Sequence, residues 1–415
     1  MFQFDATANT AMLTRSRAGV TGLVYVLGGL LLWWGAWATP ADVVSTLRFA
    51  RLGQLSIGSQ WVFAGCGAVW VVTGLLALKS PAVSRLRTIN LVLNTFGLVA
   101  VILVWAGMGR RLEVLGILSQ SIRLATPIAF GALAGVLCER CGVINIAIEG
   151  MMLSAACLGF TVALYAHNVW IGLLAAMLAG AATAALHAVL SIHWRVDQII
   201  SGMVINMLAV GLTGFIRRTV LLHNPREAPA VLPSWPVPGL SEVPVVGKLF
   251  FLHQPLVYVM FALVLIVHVV LFYTRWGLRT RAVGEHPQAA DTVGIRVFAV
   301  RYRNVIAGGM IAGLGGAWFS LETVGNFEDL MTNGKGFIAL AAMIFGKWTP
   351  LGALGGALLF GFADALQIKL QIAGVQVPYQ FLSMTPYVVT MIVLAGVIGR
   401  ARPPAAIGTL YEKHT

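Results

Sequence analysis

Glu139-Arg140-Cys141-Gly142-Val143-Ile144-Asn145-Ile146-Ala147-Ile148-Glu149-Gly150-Met151-Met152 is a polar stretch that leads directly into an apolar one. A charge held at the centre of a bilayer costs about 2.5–3.5 kcal/mol, so polar side chains at membrane depth default to a functional role. Asn145 and Glu149 are four residues apart; on a helix they share a face and point together into a bundle interior. A carboxylate near the first turn of a helix is also stabilised by the helix dipole, which is the second reading of Glu149. Asn206 falls mid-span between Asp197 and Phe215, and Asp364 lies in the apolar run 351–367. For both, the alternative to a functional role is an interhelical hydrogen bond, worth about 0.6 kcal/mol on average.

Around this stretch the chain is strongly apolar. Of 415 residues, 58% are hydrophobic and 10% charged, and the mean hydropathy is +0.85. A soluble domain carries about 45–50% apolar and about 25% charged residues, so the composition defines an integral membrane protein. Crossing about 30 Å of hydrocarbon takes roughly 20 helical residues. Three uncharged runs come early, Ala18–Ala38, Ile57–Leu78 and Ile89–Gly107. The first follows Arg15 and Arg17 and is too long and Trp-rich for a cleaved signal, so it reads as a membrane anchor. Further runs occupy 115–138, 148–166, 169–191, 197–216, 255–273, 304–322, 336–346, 351–367 and 385–399. The run 336–346 suits a short or re-entrant segment. The expected fold is an all-α polytopic transmembrane bundle with eleven or twelve crossings and room for broken or re-entrant helices. Residues 1–110 form an N-terminal extension with three transmembrane helices, 111–411 the core, and 412–415 a cytoplasmic tail.

The net charge of +13 fits cytoplasmic loops rich in Lys and Arg, because that bias sets helix orientation. Residues 274–303 hold Arg275, Arg279, Arg281, Arg296, Arg301 and Arg303 against Glu285 and Asp291, and Arg400 and Arg402 follow the last run; both regions are expected inside. Residues 217–254, with Pro225, Pro229, Pro233, Pro236, Pro238 and Pro244, and Pro255 at the helix edge, form a long irregular loop expected outside. Trp33, Trp34, Trp37, Trp61, Trp70 and Trp105 suit an interfacial belt. The pairs Gly131/Gly135, Gly309/Gly313 and Gly352/Gly356 allow close helix approach.

Several function classes are excluded. The basic residues do not interleave with aromatics in a soluble domain, as nucleic-acid binding requires. Cys138 and Cys141 make half of a zinc site at most, and no metal site is expected. Phosphate-binding, zinc-protease and serine-hydrolase signatures are missing from the sequence, so no catalytic residue is assigned, and any ATP hydrolysis belongs to another subunit. An intramembrane enzyme lacks a visible catalytic set.

The 139–152 segment resembles the E-R-x-G-V-x-N-I-G-x-E-G-M-M signature of ABC importer permeases for nucleosides and simple sugars, related to the branched-chain amino acid permeases. Gly284-Glu285-His286-Pro287-Gln288-Ala289-Ala290, ending at Gly294-Ile295, resembles the cytoplasmic G-E-N-P-x-A-A loop of that family. Asn333 to Ala342, followed by Phe345-Gly346-Lys347-Trp348-Thr349-Pro350-Leu351-Gly352, resembles its N-G-x-G-F-I-A-L-A-A segment, and Pro403 to Gly408 is similar to its usual ending. The resemblance spans roughly residues 113–411 and leaves residues 1–110 without a counterpart. Ala147 replaces the usual Gly and His286 the usual Asn, which adds a proton-sensitive group at the ATPase contact.

The resemblance implies a permease subunit in a bacterial plasma (inner) membrane, with its C-terminus cytoplasmic. It implies three kinds of protein partner: an ABC ATPase, a second related permease making a heterodimer, and an extracytoplasmic substrate-binding protein. No cofactor is expected on this chain; ATP and Mg belong to the ATPase. Gly284, Glu285, His286, Pro287, Ala289, Ala290 and Gly294 form the implied coupling loop, and Asn145, Glu149 and Asn206 are the candidates to line or brace the translocation path. Two short segments, after Val143 and after Gly334, are similar to the broken helices of transporters. The alternative is an ion-coupled secondary transporter in which Glu149 and Asp364 bind the coupling proton or cation.

Overall fold

The 139–152 stretch separates two helices, α4 (Val114–Glu139) and α5 (Ile148–Ala166). Gly142, at φ +88°, stops the first, because a left-handed residue after a helix end costs glycine nothing. Residues 143–147 then run without helical structure before α5 starts. Asn145 therefore precedes the helix that carries Glu149, and the two do not share a helical face. Ala147, at φ −71° and ψ 0°, sits in an ordinary region, so the missing glycine is tolerated there.

The structure is a computed structural model that describes residues 6–48, 53–79, 84–109, 111–223, 231–372 and 402–412, with 380 and 384. It divides into two compact units, Met1–Ile117 with Gln367–Gly399, and Leu118–Leu366 with Arg400–Thr415. The division falls inside α4, at Ile117.

In the second unit, α6 (Val169–Ala188) and α7 (Gln198–Ile216) follow α5, each opened by a polar cap. Asn168 accepts from Trp170 and Ile171 N–H, and Asp197 from Ile199 and Ile200 N–H. Such caps satisfy backbone donors that no earlier turn can reach. Then come α8 (Pro255–Tyr273), α9 (Arg275–Glu285), α10 (Pro287–Thr292), α11 (Val297–Ala317), α12 (Lys335–Phe345) and α13 (Pro350–Ile372). Single π-helical turns extend α6, α7 and α11, the last over Trp318–Val324. Small residues set the packing. A Cβ on Gly180 of α6 would collide with the Gly309 carbonyl of α11, and one on Gly313 with the Ala176 carbonyl of α6. Gly131 and Gly135 of α4 face Ala339 and Met343 of α12, and Gly356 faces Ala342. The segment 231–254 is tied down rather than loose: Leu232 is fully buried and its N–H donates to the Leu321 carbonyl at 2.9 Å.

In the first unit, α1 (Ala6–Ala38), α2 (Ser59–Lys79) and α3 (Ser84–Ala106) accompany a small sheet. Strand β1 (Val44–Arg48) pairs antiparallel with β2 (Gln54–Gly58) and parallel with β3 (Arg111–Glu113), in the order β2-β1-β3. The sheet corrects the all-α expectation. Burial alternates along β1, with Ser45 and Leu47 buried and Val44 and Arg48 exposed, but Val44-Ser45-Thr46-Leu47-Arg48 does not alternate in polarity. Helices α1 and α2 meet through reciprocal glycines: a Cβ on Gly29 would strike the Gly67 carbonyl and one on Gly67 the Gly29 carbonyl, and Gly22 and Gly74 repeat the arrangement. Trp70 packs against Tyr25 with ring centroids 6.0 Å apart and lies beside Gly28, so it belongs to helix packing rather than to an interfacial belt.

Among the described residues nine helices are long and apolar enough to cross a membrane. The expectation of eleven or twelve counted three further runs. Residues 336–346 form the short α12, residues 89–107 lie in α3, where only Phe96–Trp105 is counted as an apolar helix, and 385–399 fall outside the described residues.

Candidate functional site

Lys335–Phe345 is too short to span, and its first turn must find acceptors for its backbone N–H groups. Glu149 supplies them from α5. Its Oε1 accepts from the Thr332 hydroxyl at 2.6 Å and Gly334 N–H at 2.9 Å, and its Oε2 from Gly336 N–H at 2.6 Å. Gly334 adopts φ +75°, and a Cβ on Gly336 would lie 2.6 Å from Glu149 Cα, so both glycines are needed for this approach. The residue after Gly334, Lys335, is ion-paired with Asp364 of α13. The two carboxylates assigned to ion coupling thus converge on 332–336 and are already engaged.

Asn206 holds the start of α5 from the other side. Its Oδ1 accepts from Gly150 N–H at 2.7 Å and its Nδ2 donates to the Ile146 carbonyl at 3.0 Å. Gly150 admits it, since a Cβ there would sit 2.9 Å from Asn206 Oδ1. Asn145 is fully buried, with Nδ2 against Cys138 Sγ at 3.3 Å and Met151 Sδ at 3.6 Å, and Oδ1 unpartnered. Cys141 donates to the Cys138 carbonyl, and burial pushes its thiol up to about 12. These two cysteines pack a helix end.

A cavity of about 460 Å³ opens beside this knot. Its polar wall comes from Glu149, Asn206 and Asn333, and its apolar wall includes Met207, Leu330 and Phe337. The structure thus brings Glu149 and Asn206 to one cavity and leaves Asn145 out of its lining. Asn333 and Phe337 were in the recognised 333–342 segment but were not assigned to a site; a polar turn closed by Gly334 ahead of a short apolar run was the signal available.

The other recognised segments also meet. Glu139 accepts from the Trp348 indole N–H at 2.5 Å, and Arg140 donates to the Trp348 carbonyl at 2.7 Å. Gly284 lies against the Arg140 carbonyl. The tail closes this corner: Ala406 N–H donates to the Gly284 carbonyl at 2.9 Å, Gly408 N–H to the Gly142 carbonyl at 3.0 Å, and Ala405 N–H to Glu285 at 3.2 Å. Arg301 is buried inside α11 and donates to the Thr409 carbonyl at 3.2 Å, so it does not belong to the basic surface expected for 274–303.

The implied coupling loop is two short helices, α9 and α10, hinged at His286. That residue caps α10: its Nδ1 accepts from Ala289 N–H at 3.1 Å, the role an Asn fills at such a position, and Pro287 follows at the first helical position. Gly294, at φ +82°, ends the element. Gly284, Pro287 and Ala290 face inward, whereas Glu285, His286, Gln288, Ala289, Val293 and Gly294 are exposed. Val293, 74% exposed, is an apolar tip that the motif did not single out.

Apolar spanning helices, a short helix capped from two neighbours and a polar-walled cavity together define a membrane transport subunit. The family model described as branched-chain amino acid transport system / permease component matches residues 117–399, and the chain belongs to that family. It is 42% identical over 310 residues to the guanosine ABC transporter permease protein NupQ of Bacillus subtilis, covering 72% of this chain and 96% of that protein. It is 40% identical over 306 residues to the nucleoside ABC transporter permease protein NupC of Lactococcus lactis, with the same coverage. The putative glucose ABC transporter permease protein TsgC13 of Haloferax volcanii is 36% identical over 323 residues, covering 72% of this chain and 98% of that protein. No solved structure matches. The chain is a multi-pass ABC permease component of the inner membrane, and a transport subunit rather than an enzyme.

Proposed function

We propose that this chain forms one half of the path of an ATP-driven importer for nucleosides, received from an extracytoplasmic binding protein. The observation that carries the reading is the cavity walled by Glu149, Asn206, Asn333 and Phe337: amide and carboxylate groups suit ribose hydroxyls and base edges, and an aromatic ring suits a base face. The two most similar relatives named above are permeases for guanosine and nucleosides, which favours nucleosides over simple sugars. Glu149 and Asn206 line the path while bracing it, and Asn145 braces it from beneath. The exposed side of α7, with Met203, Met207 and Val210, is where a second, related permease packs.

The 274–303 loop and the C-terminal tail face the cytoplasm, as their arginines require. A separate ATPase carrying Mg and ATP docks on α10 through Gln288, Ala289 and Val293. Its closure pushes on Gly284 and Arg140, and through Trp348 reaches the α12 turn held by Glu149. Reconstitution with a candidate ATPase, partner permease and binding protein tests this: nucleoside-stimulated ATP hydrolysis with uptake is expected. Failure to associate with any ATPase, or uptake that follows an ion gradient without ATP, overturns it.

A further inference from the structure

Beside the coupling helices lies a concave site that the transport cycle above does not use. Arg279 of α9, Arg296 just before α11 and Arg303 in its second turn surround a pocket of about 280 Å³, floored by Gly294, Ala299 and Val300. Among the described residues, neither an ion pair nor a side-chain hydrogen bond takes up any of these three guanidinium groups. The two acids of the same loop are turned elsewhere: Glu285 accepts from Ala405 N–H, and Asp291 lies beside Tyr411. Three unpaired positive charges around one concavity suit an oxyanion that offers several acceptor oxygens.

Arg303 also lines a second, larger groove of about 620 Å³, with Trp276, Tyr302, Ile306, Ala307 and Met310. Tyr302, Ile306 and Met310 follow one face of α11, and at 1.5 Å per residue they extend about 12 Å along the helix. One leaflet of hydrocarbon is about 15 Å deep. The groove therefore starts at the end of a membrane span and follows it for most of a leaflet. A soluble anion or an acidic side chain of the ATPase would fill the arginine pocket but leave the apolar groove unexplained.

We propose that the two cavities form one binding site for an anionic glycerophospholipid, with the headgroup phosphate among Arg279, Arg296 and Arg303 and an acyl chain along Tyr302–Met310. The site rests on the proposed orientation only for the choice of the cytoplasmic leaflet; binding itself does not depend on which substrate is carried.

The test is native mass spectrometry of the delipidated full-length chain in detergent, titrated with phosphatidylglycerol and with phosphatidylcholine. Two basic groups near a lipid surface contribute enough that the double variant Arg279→Gln/Arg303→Gln should lose about thirtyfold in phosphatidylglycerol affinity. Arg275→Gln, exposed on α9 but outside the pocket, should change it less than about twofold. Ala307→Trp, which fills the groove and leaves every charge in place, should lower retention of the same lipid while the protein still elutes as a folded species. Equal binding of phosphatidylcholine, an equal loss in Arg275→Gln, or no effect of Ala307→Trp overturns the proposal. Displacement of the lipid by millimolar inorganic phosphate also overturns it, since the pocket would then be a site for the free ion.

Discussion

Two regions of this molecule are equally apolar and differently built. In the most apolar stretch of α1, 17% of residues are buried, and in that of α2, 22%; the values for α4 and α11 are 89% and 83%. The first pair is held by reciprocal glycines and surrounded by apolar side chains facing outward, Trp34 and Trp37 among them. The second set encloses Glu149, Asn145 and Asn304, each buried or bonded across helices. Hydropathy alone does not separate a helix that contributes only area from one that carries a polar network. Hydrogen-bond partners across helices do.

Removing a partner should therefore cost most in the core. Glu149→Ala leaves three neutral donors of the α12 turn without their acceptor, and each buried donor left unsatisfied costs about 1–3 kcal/mol. Uptake in proteoliposomes should fall below about a tenth, and the midpoint of thermal unfolding should drop. Full uptake would break the contrast. Steric substitutions sharpen it. Gly309→Val of α11 meets the Gly180 carbonyl and should destabilise by about 1–3 kcal/mol in a denaturation assay. Gly29→Val, which meets the Gly67 carbonyl in the same manner, should disrupt α1–α2 packing yet leave uptake within about twofold.

Asn206→Ala is expected to be milder than either core change. It strands Gly150 N–H and the Ile146 carbonyl, worth about 1–3 kcal/mol, and should reduce uptake several-fold with the larger part in KM. A purely structural Asn206 would instead lower expression with KM unchanged. The smallest effect is expected from deleting residues 1–113, which removes α1–α3 and the whole sheet and should change uptake by no more than about twofold. Loss of transport on deletion would show that the first region contributes more than area.

Composition and run length were enough for a helical membrane bundle, and the motif strings were enough for the family. What the strings did not reveal is that they are one another's partners. Glu149 and Thr332 are 183 residues apart, and Glu139 and Trp348 are 209 apart. Periodicity reports which face of a helix is apolar, not which distant turn it supports. The shared face expected for Asn145 and Glu149 failed for a local reason: the i, i+4 spacing assumes a helix, and Gly142 ends one before the next begins. The β1–β2 pair was hidden because β1 buries a serine, Ser45, and leaves Val44 exposed, so its polarity does not alternate.

The corner where Gly142, Gly284 and Arg301 meet is completed by Ala405, Ala406, Gly408 and Thr409. Those residues are translated more than a hundred positions after Gly284. At about 5–20 residues per second, α9 and α10 wait roughly ten seconds in the nascent chain before the segment that fastens them is made. A ribosome stalled before Ala405 would thus present a helical bundle in which Gly142, Gly284 and Arg301 still lack the backbone partners that fasten their corner.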